Sequence, residues 1–455
     1  MDRESLERWK PVVRAFDPRR PLQREEIDTL YVRRDRAPSH EVLRRLSFDQ
    51  DEAPLFVMCG SRGSGKSTEL ARLEKAFDDQ RIIARVDLMG ALPRPYSSVG
   101  LLMALGLVAL RMCQDWEADT TRAYTKASKT LEEAFEAIMA TQDNSSGKSL
   151  NIAKLVASIG GLVAVSSPEP VTKVLAGASA AVAGATQFVW TAGSGQAALT
   201  ASDEASVALL QAVNEAFELA RQCTTSANSP EAAWPALLLA DGLDKLVALQ
   251  DIIDVLNNPK LLSGLNVPLV LTAPINLMHN TEFNAVRQFA SPLPLYNLPV
   301  VDKDHDEHEG TGAELLKEVC QKRSGAYQLP DAWLADEALR SAIRSSGGSM
   351  RDFMELISKA AIEAAGDNAT QLAPQHMQEA VKDFRHQLEF GLNDKLLKQL
   401  KAVLKSQRMT GDEGCEELLF KNYILCYPNG NLWYRPHESL VSWLRSISDE
   451  PGAEP

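Results

Sequence analysis

The residues with the plainest chemistry are Gly60, Ser61, Arg62, Gly63, Ser64, Gly65, Lys66, Ser67 and Thr68, which read GSRGSGKST. Glycines at this spacing let the backbone curl until successive N–H groups face a phosphate at a helix N-terminus. Lys66 would reach the β- and γ-phosphates, and the Ser67 hydroxyl would hold Mg²⁺. A magnesium nucleotide also needs an acid on the far side of the metal. Asp241 supplies it at the end of the apolar run ALLLA, where ligands lie in parallel α/β sheets. Lys66 and Asp241 are thus the candidate catalytic pair, Ser67 and Asp241 the candidate metal pair, and ATP or ADP with Mg²⁺ the implied cofactor.

These groups need a strand–loop–helix frame, and the surrounding pattern provides one. Leu55–Cys59 is an apolar strand, and Leu70, Leu73 and Phe77 keep helical spacing after the loop. RIIARVDLMG (81–90) reads as a second strand, Ala236–Ala240 as a third, and Val267–Thr272 as a fourth. FNAVRQ predicts a helix carrying Arg287, followed by an edge strand over Leu295–Pro299. The fold class is α/β: a parallel-sheet phosphate-loop nucleotide domain, then a helical lid, then a C-terminal winged-helix domain. The expected boundaries are a lead-in at 1–50, the nucleotide domain at 51–302 with an insert at 110–200, the lid at 311–372, the winged helix at 373–447 and a disordered tail at 448–455. The lead-in mixes 12 basic and 10 acidic residues along helical pattern and is expected to pack on the nucleotide domain.

LLLADGLDKL (237–246) resembles the Walker B stretch of NACHT and related STAND ATPases, where a small residue follows the aspartate and further acids come downstream. It departs at Lys245, where that family usually has glutamate. Many hydrolytic ATPases place a glutamate directly after the aspartate to orient water; here Gly242 stands there. Asp244 is therefore either the catalytic base or a structural cap. The wider resemblance to AAA+ proteins implies that Thr272 or Asn276 senses the γ-phosphate. It also implies that Arg287 serves as a finger reaching a neighbouring subunit. SGGSMRDF (346–353) resembles the second sensor of origin-initiator and STAND-type lids, which implies a phosphate contact by Arg351 and a close approach of lid to nucleotide at Gly347 and Gly348. Tyr423–Tyr427 and Leu432–Arg435 flank PNGN, a tight hairpin signal. His437 resembles the histidine with which STAND winged helices touch the β-phosphate of ADP.

The insert holds two apolar runs, Leu155–Val165 and Val174–Trp190, around the turn SSPEP. Eleven helical residues span roughly 16 Å, against a hydrocarbon core of about 30 Å. A buried helical hairpin, a conditional membrane or partner hairpin at 150–195, and a stable span all remain open at this point. The acid-rich run DKDHDEHEG (302–310) reads as a solvated loop.

A chain of 455 residues requires two or three domains, and 45% apolar with 24% charged residues excludes a disordered polymer. The net charge of −13 opposes indiscriminate affinity for nucleic acid. The six cysteines form no CxxC pair, which suits a reducing cytoplasm. The start of the chain carries no apolar run behind its charges, so no secretory signal is expected. The resemblance implies a regulatory ATPase of slow hydrolysis, an ADP/ATP switch that self-associates in the ATP state and meets an unidentified protein partner, in bacterial signalling or defence. Two other readings stand beside it. One is a DNA-associated initiator or loader, with Arg435 on its wing; the other is a membrane-acting effector with an ATPase core.

Overall fold

The computed structural model describes residues 2–48, 53–115, 122–140, 152–166, 202–223, 235–409, 414–428 and 431–447. The expected tail, the run at 174–190 and the SSPEP turn beyond Ser166 lie outside the described residues.

Six strands form the central sheet: β1 (Leu55–Gly60), β2 (Ile82–Asp87), β3 (Val163–Ser166), β4 (Ala236–Asp241), β5 (Leu269–Ala273) and β6 (Ala290–Leu295). Their order is β3-β2-β4-β5-β1-β6. All neighbours are parallel except β3, which runs antiparallel to β2. The strands are apolar on both faces because helices cover both. Leu55, Val57 and Cys59 face a core shared with the helix Ser98–Asp115. Phe56 and Met58 face Leu70 and Leu73 of the helix Lys66–Ala76 and Phe77 at its C-cap, together with Val42 and Leu46. This alternation brings the carboxyl ends of β1, β2, β4 and β5 to one edge, where the phosphate loop begins.

Two strand predictions change. The edge strand is Ala290–Leu295 rather than Leu295–Pro299, and it contains Pro292 and Pro294. Those prolines are tolerated because β6 pairs on one side only, with β1. The first apolar arm of the insert is not wholly helical. A helix over Ile152–Ile159 stops at Gly160–Leu162, and β3 then covers the outer edge of β2. Among the described residues, no helix is long and apolar enough to cross a membrane.

The lid comprises helices Gly312–Ala326, Asp336–Ser345 and Met350–Gly366. The first part of the chain corrects its predicted packing: the helix Arg3–Ala15 lies on this lid, not on the nucleotide domain. Trp9, Val12 and Phe16 share a core with Trp333 and Phe353, and Ser5 Oγ donates to the Ala365 carbonyl (3.0 Å). The rest of the lead-in packs on the nucleotide domain as expected: Leu22, Ile27 and Leu30 share a core with Ala71 of the helix Lys66–Ala76, and the helix Pro38–Phe48 packs on the sheet. The C-terminal part runs through helices Pro374–Glu389, Asp394–Ser406 and Cys415–Phe420. The hairpin β7 (Ile424–Tyr427) and β8 (Trp433–Pro436) follows, then the helix Glu438–Ser446. That is the element order expected of a winged helix.

Candidate nucleotide-binding site

The phosphate loop turns from β1 into the helix at Gly65, whose φ of 103° lies in the left-handed region that favours glycine. Lys66 opens the helix and is only 5% exposed. Its Nζ donates to the carbonyls of Gly60 (2.7 Å) and Ser61 (2.8 Å) and pairs with Asp244 Oδ2 at 2.9 Å. The other oxygen of Asp244, Oδ1, is buried without a hydrogen-bond partner, as is Ser64 Oγ. Thr68 follows in the same turn and lines the cleft beside Ser67.

Asp241 sits at the centre of a second network. Ser67 Oγ donates to its Oδ2 (2.7 Å), Thr272 Oγ1 donates to its Oδ1 (2.8 Å), and the Gly242 N–H donates to Thr272 Oγ1 (2.9 Å). Burial alone would raise the Asp241 carboxyl. The Ser67 hydrogen bond, the charges of Arg85 and Lys245, and the Thr272 bond outweigh it and hold the group below the usual aspartate range. Asp241 is thus kept ionised beside a hydroxyl, a pair of hard oxygen donors that fits Mg²⁺. With the orphaned Asp244 and Ser64 oxygens, the donor set suits a magnesium-bound polyphosphate: Lys66 for the phosphates, Ser67 and Asp241 for the metal.

Arg85, which sequence reasoning missed, stands behind this pair. From β2 it reaches Glu74 Oε2 (3.1 Å), the Ser67 carbonyl (3.4 Å) and Asp241 Oδ2 (3.4 Å). The available signal was one charged side chain inside the otherwise apolar IIARV. Arg34 was missed as well; its Nη2 donates to the Ser64 carbonyl (2.8 Å) from the N-terminal segment.

The loop opens into a cleft of 1070 Å³, walled by Asp17–Gln23 of the N-terminal segment, by Gly161–Ala164 before and within β3, and by Met350, Arg351 and Met354 of the lid. Arg351 reaches the loop directly, as its N–H donates to the Gly63 carbonyl (3.2 Å). A Cβ on Gly63 would lie 2.4 Å from Arg351 Cβ, so the close approach of lid and loop rests on Gly63. Gly347 and Gly348 serve other contacts. Substituting Gly348 would collide with the Leu298 backbone, and substituting Gly347 with Leu425 of β7.

Three neighbouring loop residues are held from outside the sheet. Ser61 Oγ donates to Asn297 Oδ1 (3.0 Å), which also accepts from the Cys426 N–H of β7 (3.4 Å). The Arg62 carbonyl accepts from Asn422 Nδ2 (2.8 Å), and the Arg62 guanidinium lies 5.1 Å from the centre of the Phe420 ring. Gly63 is held by Arg351, as above.

Several expected site residues lie elsewhere. His437 is fully buried outside the cleft, its Nε2 3.2 Å from Asp352 Oδ2 and its Nδ1 accepting from the Ser439 N–H (3.3 Å). It caps the last helix and joins it to the lid one residue from Arg351. Asn276 lines a separate cavity of 670 Å³ together with Phe420 and Lys395, whereas Thr272 belongs to the Asp241 network. Arg287 is exposed at the C-cap of the short helix Phe283–Val286, donating to the Met278 carbonyl (2.6 Å), away from this chain's own cleft. Arg435 is not a surface wing residue. It is 2% exposed and bonded to Asp306 (2.6 Å) and Glu438, while Arg445 also binds Asp306. Those bonds tie the loop at 302–310 to the C-terminal domain. Among the described residues, no group of three or more His, Cys, Asp or Glu side chains that could hold a metal forms, at His305 and His308 or elsewhere.

No protein-family model and no curated protein matches the chain. Among solved structures it is similar to a Walker-type ATPase of Pyrococcus abyssi, at 13% identity and a TM-score of 0.43, over 95% of this chain and 99% of that one. It is also similar to the ORC2 protein of Aeropyrum pernix in its ADPNP and ADP complexes, at 13% identity and a TM-score of 0.41, over 95% of both chains. The ORC1 protein of Aeropyrum pernix in complex with DNA matches at 11% identity and a TM-score of 0.37, over 91% of this chain and 93% of that one. The chain itself has an α/β phosphate-loop fold with a parallel core sheet, a helical lid and a C-terminal helix-and-hairpin domain.

Proposed function

We propose that the protein binds ATP and ADP with Mg²⁺ and works as a conformational switch with slow hydrolysis. The observation that carries this reading is the triple hold on Ser61, Arg62 and Gly63. A phosphate entering the loop would act on the same backbone that the lid and the C-terminal domain grip. In this reading, binding at one place changes the free energy of docking at the other, and linkage makes that coupling reciprocal. Lys66, Ser67, Thr68 and Asp241 hold the magnesium nucleotide, Arg351 contacts it from the lid, and Arg287 is the candidate contact to a second copy in an ATP-bound assembly. His437 acts through Asp352 rather than on the phosphate.

Arg435, the wing residue offered as a DNA contact, is buried, so the initiator reading takes second place. The test is the nucleotide content of freshly purified protein, with its mass in solution in ADP and in ATP. Retained ADP, a monomer, and assembly only with ATP support the switch. Nucleotide-free protein that turns over ATP briskly in standing rings contradicts it.

A further inference from the structure

The residue after Asp241 has no side chain, yet the space beside it is filled from the neighbouring strand. Gly242 holds φ at 117°, and a Cβ built there would stand 3.0 Å from Asp87 Oδ1. Asp87 ends β2 directly opposite Asp241 at the end of β4. It lines the same cleft as Lys66, Ser67 and Asp241. Its carboxylate is oriented by two bonds, since Oδ1 accepts from the Met89 N–H (3.1 Å) and Oδ2 from Lys245 Nζ (3.4 Å). The side chain nevertheless remains 47% exposed.

Asp17 and Glu25 line the cleft from the N-terminal segment, and the two acids at and just beyond the end of β4 are already committed. Asp241 binds Ser67 and Thr272, and Asp244 has one oxygen on the Lys66 ammonium and the other buried. We infer that Asp87 is the carboxylate that orients and deprotonates the water attacking the γ-phosphate, in place of a side chain at 242. This assignment rests on the nucleotide-hydrolysing reading above and adds the base that reading lacked. In the step, the water oxygen bonds to the γ-phosphorus and one water proton passes to Asp87. The bond from the γ-phosphorus to the β,γ-bridging oxygen breaks, and its electron pair stays on the new terminal oxygen of ADP. The proton on Asp87 then passes to the departing phosphate.

The experiment pairs steady-state hydrolysis of Mg²⁺-ATP by the full chain with equilibrium binding of a fluorescent ATP analogue. Asp87 caps the short helix Leu88–Ala91 through the Met89 N–H, and Asp87→Asn keeps a good cap but removes the base. The expected result is a kcat lower by about 10²-fold or more, with analogue affinity within about threefold of the parent because neither Lys66 nor the Ser67–Asp241 pair has changed. Asp87→Ser, another capping residue, should behave alike, which separates loss of the carboxylate from failure to fold. An unchanged kcat in both variants, or a loss confined to Asp244→Asn, would overturn the assignment while leaving nucleotide binding intact. A parent chain that fails to bind the analogue would overturn the underlying reading, and the assignment with it.

Discussion

The two halves of the phosphate loop are held in different ways. The inner half, Lys66 and Ser67, is fixed by Asp241, Asp244 and Thr272, all from the strand ends of its own sheet and the turn beyond. The outer half, Ser61 to Gly63, is fixed by Asn297, Asn422 and Arg351, which belong to the linker, the C-terminal domain and the lid. The inner half decides where a phosphate and a metal can sit. The outer half decides which parts of the molecule sense them. A loop gripped only from within would make a nucleotide site; the outer grip is what makes a switch of it.

This contrast can be broken from either side. The largest effect is expected within the C-terminal domain, which supplies Asn422 to the outer half. Arg435→Ala leaves Glu438 buried without its partner and Asp306 held by Arg445 alone, which should cost about 3–5 kcal/mol of stability. Urea unfolding read at the C-terminal tryptophans checks it. On the inner side, Lys66→Ala removes the cation facing Asp244 and the phosphates; turnover should fall by roughly 10²–10³-fold, measured as phosphate release. Next comes Asn422→Ala, which deletes one hydrogen bond to the Arg62 carbonyl worth about 0.5–1.5 kcal/mol. ADP release should quicken by about 2–10-fold, seen by stopped-flow fluorescence, with little change in the Mg²⁺ requirement.

The smallest effect is the pH dependence of the Asp306 bonds. The Arg435 hydrogen bond lowers the Asp306 carboxyl, burial opposes it, and Arg445 adds to the lowering. A group whose folded pKa is depressed contributes in full above its unfolded value, near 3.9, and loses that contribution as pH falls through the folded value. The stability difference between the parent and Asp306→Asn should therefore stay constant from about pH 8 to 5 and shrink only below about pH 4. Thermal unfolding across that range tests it.

The inner half was legible because its signals are local. A strand, a glycine loop and a helix follow one another in sequence, and Asp241 closes its own apolar run. The outer half was not, because Asn297 and Asn422 lie 236 and 360 residues from their loop partners and resemble ordinary turn residues. The glycine pair at 347–348 signalled a close approach, but sequence could not say to what, and the surfaces approached are Leu298 and Leu425. The helix Arg3–Ala15 presented an apolar stripe without naming the lid as its cover. Arg85 and Asp87 passed unremarked because one reads as a strand irregularity and the other as a cap; only the register of β2 against β4 places them beside Asp241.

The most direct test of the coupling is amide hydrogen exchange of the full chain, compared between saturating ADP and saturating Mg²⁺-ATP. The account predicts slowed exchange at the phosphate loop with both nucleotides, and a difference between them at residues 420–427, which carry Asn422 and β7. Protection of the loop in both states with identical exchange at 420–427 would contradict it, leaving a nucleotide site without a switch.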